Sequence, residues 1–317
     1  MKFYRSAATK YGSSVPAFNV EGLKIINYCH GLTNVFVCDD DEAFEAALQV
    51  VRNDVSTENL DLLLVRKFFD GHVHPIKIER RDGKNNIVVM DSKGQPYDNL
   101  YFTSSLIKLQ RHLEGNIYYA STEIQKDHHS CYTFTAKALS KMSKTPDLAQ
   151  ELEEYIVGET RNLSERRVIE CKYPERFAIL AQSKEEIRQY MQDTLFHEEI
   201  FKNEAGAGPT FEEKIYKPRT SGGVATPYTD GENLIPSLLD YFARKYAQKI
   251  DSVMGILDSA QLSEILDSQS SQHLTEERLL NIGAGYGSVS LAKSSMNPET
   301  SKRIAQAHTS SISGGEI

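Results

Sequence analysis

Cysteine is scarce and carries no pattern in this sequence. The four cysteines are Cys29, Cys38, Cys131 and Cys171, and none of them stands in a C-x-x-C pair. Regularly spaced cysteines mark a disulfide framework or a zinc site, so neither is expected on this ground. Sparse and unpatterned thiols are typical of a protein that works in a reducing compartment.

Long apolar runs and excess positive charge are also missing. No run approaches the ~18 apolar residues that a membrane-spanning helix needs. The formal net charge of −8 argues against a nucleic-acid binder. Residues 1–6 are not followed by an apolar segment, so we expect no Sec-type signal peptide.

A β-hairpin is the clearest local structure that the sequence predicts. Two apolar-rich stretches flank Asp82-Gly83, a dipeptide that favours a two-residue hairpin turn. Such a turn places His74 opposite Asp91. Side chains alternate along a strand, so His72 lies diagonal to Asp91 on the same face. The hairpin alone is therefore predicted to bring a carboxylate within reach of an imidazole.

Gln125 and Cys131 bracket a predicted strand-to-helix turn. Ile117–Ala120 has the composition of a strand, and Cys131 opens a stretch with helical character. Gln125 precedes Cys131 by six positions and can project near its thiol. A helix N-terminus favours a thiolate, so Cys131 is predicted to ionise readily.

Together these side chains are the parts of a cysteine nucleophile site. A thiolate attacks an acyl carbon, a histidine takes and returns the proton, and a carboxylate orients the imidazole. An amide can hold the developing oxyanion. Each residue alone is more often structural, but their joint order indicates one site. We assign Cys131 as nucleophile, His72 as base, Asp91 as orienter and Gln125 as oxyanion helper.

The order of these residues resembles that of clan CE cysteine enzymes, and most of all the YopJ-type bacterial effectors. Asp91 follows His72 by 19 positions, Cys131 follows Asp91 by 40, and a long helical stretch comes after Cys131. The resemblance implies an α+β fold, with a clan CE cysteine-protease-like mixed sheet and helices plus a helical C-terminal region. Tyr132 departs from the pattern, because the clan usually has Gly after its Cys, and it is expected to crowd the oxyanion region.

The resemblance also implies a function and its cofactors. It implies a secreted bacterial effector that moves an acetyl group from acetyl-CoA to Ser, Thr or Lys of host proteins, through an acetyl-cysteine intermediate. It places the protein in the host cell cytoplasm. It further implies inositol hexakisphosphate as an activator, with Arg166, Arg167, Lys172 and Arg176 as candidate binding residues.

Two other functions fit the same residues. One is a ubiquitin or ubiquitin-like-protein cysteine protease of clan CE, which uses the same four groups, and a second alignment with such proteases takes His74 as the histidine. Those proteases carry a Trp after the histidine, whereas this sequence has no Trp and has Pro75 at that position, so His72 is preferred. The other is a catalytically degenerate module that only binds a host protein, and Tyr132 favours it.

A metal site is a further alternative that we do not adopt. The donors available in the motif region are His72, His74, Asp127, His128 and His129, and a His-x-His pair on a strand shares a face. No further ligand stands at a patterned spacing. The leading interpretation of this region therefore includes no metal.

The sequence divides into three regions in our prediction. Residues 1–145 form the catalytic core, 146–293 a helical regulatory or substrate region, and 294–317 a disordered tail. Residues 1–20 are expected to be irregular and 203–233 to form a long loop. The helices expected after residue 145 are 148–157, 184–196, 234–257 and a short one near 262–266, and the one strand-like stretch there is 177–180.

Overall fold

The computed structural model describes most of the chain. The described residues are 2–8, 14–32, 34–93, 100–120, 124–125, 127–157, 161–163, 166–178, 180–181, 219–221, 224–226 and 238–284. The predicted helix at 184–196 and the predicted tail at 294–317 lie outside them, as does most of the predicted loop at 203–233. No helix in the described ranges is both long and apolar enough to cross a membrane.

A seven-stranded mixed sheet forms the centre of the fold, with the strand order β3-β4-β5-β6-β7-β9-β8. Its strands are β3 (Val35–Cys38), β4 (Leu60–Lys67), β5 (Val73–Arg81), β6 (Lys84–Met90), β7 (Asn116–Ala120), β8 (Arg161–Leu163) and β9 (Arg166–Cys171). Strands β6, β7 and β9 run parallel to each other, and β5 runs antiparallel to β6. The start of β5 therefore meets the ends of β6 and β7 at one end of the sheet.

Helices cover both faces of this sheet. They are α1 (Val20–Cys29), α2 (Asp41–Asn53), α3 (Leu100–His112), α4 (Cys131–Met142), α5 (Leu148–Leu152), α6 (Glu175–Ala178), α7 (Leu238–Met254), α8 (Ser259–Ser268) and α9 (Glu276–Gly283). Side chains of α1, α4 and α7 share one buried apolar cluster, and those of α2 and α3 share the other. The mixed sheet between two helical layers confirms the predicted fold class.

The predicted hairpin is confirmed in its register. Ile78 pairs with Ile87 and Ile76 with Val89, as a two-residue turn requires. The turn residues have left-handed backbone angles, with φ of +51° at Asp82 and +74° at Gly83. Asp-Gly tolerates these angles, which explains why this dipeptide sets the register.

The N-terminal segment was expected to be irregular, and that prediction is wrong. Strands β1 (Tyr4–Ala8) and β2 (Ser14–Phe18) pair antiparallel, even though β2 contains Pro16. Proline is tolerated in a two-stranded ribbon because an edge strand leaves some N–H groups unpaired.

The region after residue 145 holds strands that the sequence analysis missed. Strand β9 pairs with β7 inside the central sheet, and a short pair, β10 (Arg219–Ser221) and β11 (Val224–Thr226), lies later in the chain. The predicted strand at 177–180 is wrong, because the short helix α6 begins before it at Glu175. The predicted helix at 148–157 is α5 followed by one 3-10 turn.

These strands bear on the proposed division of the chain. The central sheet contains residues on both sides of position 145, where the catalytic core was predicted to end. Helices α7 and α8 confirm the predicted helices at 234–257 and near 262–266 within the described residues. The three-region division itself stays a prediction.

Gly115 is the glycine on which the entry into β7 depends. Its φ of +127° lies in a region that L side chains rarely adopt, and an added Cβ would collide with the backbone carbonyl of Asn85. Gly31 offers a matched comparison, because its φ of +68° is also positive but nothing lies within 4 Å of an added Cβ.

We expect Gly115→Ala to lower the free energy of unfolding by about 2–4 kcal/mol, because it adds a backbone collision to backbone strain. Gly31→Ala should cost only about 1 kcal/mol, the cost of backbone strain alone. Urea unfolding of both variants measures the two values. Equal losses would contradict the role assigned to Gly115.

Candidate active site

The predicted site lies at the end of the sheet where β5 begins and β6 and β7 terminate. Asp91 follows β6 directly, and its backbone N–H donates to Ala120 O at the end of β7, over 3.0 Å. His72 immediately precedes β5. The antiparallel pairing of β5 with β6 therefore brings these two side chains to the same end of the sheet, as the sequence predicted.

His72 and Asp91 form a buried pair. The distance from His72 Nε2 to Asp91 Oδ1 is 3.0 Å, and neither side chain is more than 1% exposed. Asp91 also accepts hydrogen bonds from the Lys93 N–H to Oδ1, over 3.0 Å, and from Tyr119 Oη to Oδ2, over 2.9 Å. Burial alone would raise the pKa of Asp91, but the two imidazoles beside it hold that pKa well below its usual range. Asp91 is therefore an ionised carboxylate in a dry site.

His74 is the second imidazole beside Asp91. Its Nε2 lies 3.4 Å from Asp91 Oδ1, and its ring meets that of His72 edge-on with centroids 4.9 Å apart. The Phe68 ring lies against both histidines, at 6.1 Å from His72 and 4.8 Å from His74. Burial lowers the pKa of His74, more than the nearby Asp91 carboxylate raises it. This ring is therefore neutral near pH 7.

Cys131 is the first residue of α4, as predicted. Its Sγ lies 3.8 Å from the carbonyl oxygen of Gly71, the residue before His72. Gly71 belongs to a tight turn between β4 and β5, closed by the Phe68 N–H to His72 O bond of 2.8 Å. The turn therefore holds Gly71, which contacts the Cys131 thiol, and the proposed base His72 in one short segment.

The expectation that Cys131 ionises readily is wrong for the resting protein. Burial raises the pKa of the Cys131 thiol to about 12. The positive charge of Lys93 and the backbone N–H groups of Tyr132 and Cys131 lower it, as a helix start should, but they do not offset the burial. The thiol is 4% exposed, so desolvation dominates.

Gln125 is held in a fixed orientation by residues next to the His72 and Asp91 pair. Ser92 Oγ donates to Gln125 Oε1 over 2.6 Å, and Gln125 Nε2 donates to the Asp127 carbonyl over 2.9 Å. Its backbone N–H also bonds Ser92 O, over 2.8 Å. Because Ser92 follows Asp91 in the chain, Gln125 is tied to the acid end of the hairpin.

Asp127 organises the loop that ends at the nucleophile. Its Oδ1 accepts from the N–H groups of His129 and Ser130, over 2.9 and 2.7 Å, and its Oδ2 accepts from Ser130 Oγ over 2.6 Å. The carboxylate thus fixes the residue before Cys131. His128, beside them, is exposed.

Sequence reasoning missed three of these supporting residues. Tyr119 could have been found from the alternation of β7, since its parallel neighbour β6 ends one residue before the acid. Asp127 three residues before Ser130 is a pattern typical of an Asx turn. Ser92 carries no comparable signal, because its partner Gln125 comes from a different element.

Tyr132 is buried, with 8% of its surface exposed. Burial raises the pKa of its hydroxyl, and the acidic side chains of Asp39, Glu21 and Asp70 raise it further. The side chain therefore fills space beside the nucleophile on an acidic side of the site.

Two of the basic residues predicted to bind an activator have described side chains, Lys172 and Arg176. Arg176 pairs with Glu151 through both carboxylate oxygens and also donates to Thr145 Oγ1 over 3.2 Å. Lys172 follows β9, and its N–H donates to Tyr155 O over 2.8 Å. The side chains of Arg166 and Arg167 lie outside the described part of the structure.

Further cations surround Arg176. Burial, together with the positive charges of Lys137, Arg176 and Lys144, lowers the pKa of Lys141 to about 7. Burial is the larger cause of this shift, and the three neighbouring cations add to it. Lys137 and Lys141 lie on α4, the helix that the nucleophile opens.

The donor set considered for a metal is only partly brought together. His72, His74 and Asp91 each offer a ligand atom, and these atoms all lie within 4.8 Å of one another. His129 Nε2 instead lies 3.4 Å from Asp127 Oδ2, in the loop before α4. Within the described residues, the motif histidines therefore fall into two separate groups.

Three solved structures resemble the chain. A deletion variant of AvrA with IP6 and CoA has 12% identity and a TM-score of 0.47, covering 72% of this chain and 83% of that one. HopZ1a in complex with IP6 and CoA has 12% identity and a TM-score of 0.47, covering 71% and 80%. HopZ1a with IP6 alone has 12% identity and a TM-score of 0.45, covering 72% and 82%. A comparison with curated proteins finds no match.

The family of the chain follows from a comparison with family models. The model described as YopJ Serine/Threonine acetyltransferase matches residues 27–224, which is more than half of the 317 residues. The matched range contains the His72 and Asp91 pair and Cys131 at the start of its helix. The chain belongs to the YopJ serine/threonine acetyltransferase family.

Proposed function

We propose that the protein transfers an acetyl group from acetyl-CoA to a Ser, Thr or Lys side chain of a host protein, through an acetyl-cysteine at Cys131. The observation that carries the proposal is the buried pair of His72 and Asp91, with Cys131 Sγ beside the carbonyl of Gly71. Family membership supports the reaction class. We further propose that the protein is a bacterial effector delivered into the host cell cytoplasm.

In the first half-reaction His72 acts as the base. Its Nε2 faces Asp91, so Nδ1 is the ring nitrogen that takes the Cys131 proton. Sγ then bonds to the acetyl carbon, the bond from that carbon to the CoA sulfur breaks, and the proton passes from His72 to the CoA sulfur. The Asp91 carboxylate stabilises the imidazolium while it exists.

In the second half-reaction the acceptor side chain replaces CoA. His72 takes the proton of its hydroxyl or amine, the acceptor atom bonds to the acetyl carbon, and the bond to Sγ breaks. The proton then returns from His72 to Sγ. Both halves use one base and leave Cys131 as a thiol, so the site is regenerated.

The acetyl oxygen carries negative charge during each half-reaction. The backbone N–H of Tyr132 already lowers the pKa of the Cys131 thiol and therefore points toward the reacting sulfur. Gln125 is the proposed second donor, because its amide has two N–H groups and Asp127 accepts from that nitrogen through its carbonyl. Donors fixed in place before the reaction stabilise an oxyanion at little reorganisation cost.

The raised pKa of Cys131 determines how the proton moves. A thiol with a pKa of about 12 is protonated at neutral pH, so no thiolate stands ready before substrate arrives. His72 must therefore accept the proton as Sγ attacks. The His72 and Asp91 pair is therefore needed in each turnover to remove the thiol proton, which a cysteine that is already ionised would not require.

We also propose inositol hexakisphosphate as an activator, held by Arg166, Arg167, Lys172 and Arg176. The cations that, after burial, lower the pKa of Lys141 support this proposal, because a polyanion would offset their mutual repulsion. Lys137 and Lys141 lie on α4, so a ligand there contacts the helix that Cys131 begins.

The rival function is a ubiquitin-like-protein protease with the same nucleophile. The alignment with the acetyltransferases takes His72 as the base, and that with the proteases takes His74. The shorter distance to Asp91 Oδ1 favours the first, because His72 Nε2 lies 3.0 Å and His74 Nε2 3.4 Å from that oxygen. An electrophilic probe built on the ubiquitin C-terminus tests the rival. Reaction of that probe at Cys131, with no acetyl labelling, would decide for the protease.

Labelled acetyl-CoA tests the nucleophile and the base. We expect label on Cys131 of the wild type, no label on Cys131→Ala, and labelling slowed by about 10²–10⁴ for His72→Ala, since a general base contributes that factor. His128→Ala is the matched control, because His128 is exposed and should label at the wild-type rate.

Two outcomes would overturn the assignment. No label on the wild type, with or without inositol hexakisphosphate, would refute acetyl transfer. An unchanged host-cell phenotype for Cys131→Ala would leave only the protein-binding function.

The reactivity of the thiol toward iodoacetamide tests its protonation state. With the pKa raised from 9.0 to about 12, the thiolate fraction at pH 8 should be smaller than that of an unfolded thiol by roughly a thousandfold. Alkylation of Cys131 should rise about tenfold per pH unit between pH 8 and 10, as measured by mass spectrometry of the modified peptide. Fast alkylation in the native protein at pH 7.5 would mean that a thiolate is already formed.

Thermal unfolding tests the polyanion site. Inositol hexakisphosphate at about 100 times its Kd should raise the Tm by about 4 °C. Arg176→Gln and Lys172→Gln should each reduce that rise, because each removes a positive charge that the ligand would contact. Lys84→Gln, at the exposed hairpin turn, is the control and should leave the rise unchanged. An equal rise in all of the proteins would contradict the proposed residues.

A further inference from the structure

His74 is a buried polar side chain that the proposed reaction does not use. It is 0% exposed, and neither of its ring nitrogens makes a hydrogen bond of good geometry with any residue that the structure describes. Buried polar groups are nearly always satisfied, so such a group calls for a ligand or a special role. Its Nε2 points at the same carboxylate oxygen as His72 does.

The distances in this cluster match those between ligands of one metal ion. Asp91 Oδ1 lies 3.0 Å from His72 Nε2 and 3.4 Å from His74 Nε2. Ligands at 2.0–2.1 Å from a tetrahedral zinc ion lie about 3.3 Å from each other, as follows from the bond lengths. The ligand atoms of all three residues lie within 4.8 Å of one another, so they can converge on one ion and leave a fourth position for water.

The surroundings of the three donors also suit a metal. Tyr119 Oη donates to the far oxygen of Asp91 over 2.9 Å, an outer-shell bond of the kind that orients a ligating carboxylate. The Phe68 ring covers both imidazoles and provides an apolar wall. Two imidazoles and one carboxylate favour zinc-class transition metals over magnesium or calcium, which prefer oxygen ligands.

We propose that His72, His74 and Asp91 form a regulatory site for a divalent transition metal ion of the zinc class, and that this ion inhibits acyl transfer. The inhibition rests on the proposed function, whereas the binding does not. With the metal on Nε2, the one proton of the neutral His72 ring is confined to Nδ1. That nitrogen can then no longer accept the proton of Cys131, so the nucleophile stays a thiol.

The two parts of the proposal are tested separately. Binding is measured on Cys131→Ala, which keeps the three donors and removes the thiol, by titrating Zn²⁺ against a chelating dye after incubation to equilibrium. Cobalt absorption at the same site reports the coordination geometry. Activity is measured on the wild type with labelled acetyl-CoA, first with a chelator present and then with Zn²⁺ in excess.

The expected result is one bound Zn²⁺ per chain in Cys131→Ala. Adding His74→Asn should weaken that binding by more than about 10–100-fold, and Tyr119→Phe by about 10–100-fold, the usual cost of an outer-shell partner. The double change His128→Asn and His129→Asn is the control, because it removes two histidines outside the cluster and should leave the affinity unchanged. Excess Zn²⁺ should abolish labelling of the wild type.

The outcomes separate the metal site from the proposed reaction. Absent labelling even with the chelator would refute acetyl transfer and leave the binding result standing. Unchanged affinity in both His74→Asn and Tyr119→Phe, or binding lost only in the control, would overturn the metal site. Tyr119→Phe keeps the test valid if His74→Asn fails to fold.

Discussion

A charged carboxylate without exposed surface is the constraint on which the site depends. Asp91 is 0% exposed, and burying an isolated carboxylate would cost several kcal/mol or more. The protein offsets that cost with a tyrosine hydroxyl, a backbone N–H and an imidazole, all aimed at its two oxygens. Each of these donors is supplied by the strand order. Strand β7 brings the tyrosine, the turn after β6 brings the N–H, and the start of β5 brings the imidazole.

The nucleophile Cys131 is buried like Asp91, but it is held in its neutral form. Asp91 stays charged in spite of its burial because partners surround it, whereas burial leaves the Cys131 thiol neutral. The two groups are thus poised in different protonation states in adjacent dry environments. Since His72 contacts the Asp91 carboxylate and follows Gly71, whose carbonyl meets the thiol, it is the group that we propose takes the proton from the sulfur. In the proposed reaction the thiol proton passes to His72, and Asp91 stays ionised throughout.

The part of the site that the sequence predicted is the part set by local rules. An Asp-Gly turn determines the register of the hairpin, and the register determines that His72 and Asp91 share a face. A helix beginning at Cys131 also follows from its local pattern. Long-range facts were not accessible in the same way. Strand β9 has charged residues at both ends and gains its stability from β7, which lies far away in sequence. The pKa of Cys131 depends on how deeply tertiary packing buries it, and periodicity does not report that.

The choice between the two histidines follows from strand geometry rather than from either side chain alone. His74 lies inside β5, opposite Arg66 of β4, whereas His72 lies before the strand begins. A strand rises about 3.3 Å per residue, so His74 is displaced by about 7 Å from His72 along the chain, away from the carbonyl of Gly71 that meets the thiol. Both imidazoles reach Asp91, but His72 is the one next in the chain to Gly71, whose carbonyl meets the thiol. We therefore assign the transfer of the thiol proton to His72 and leave His74 without a part in it.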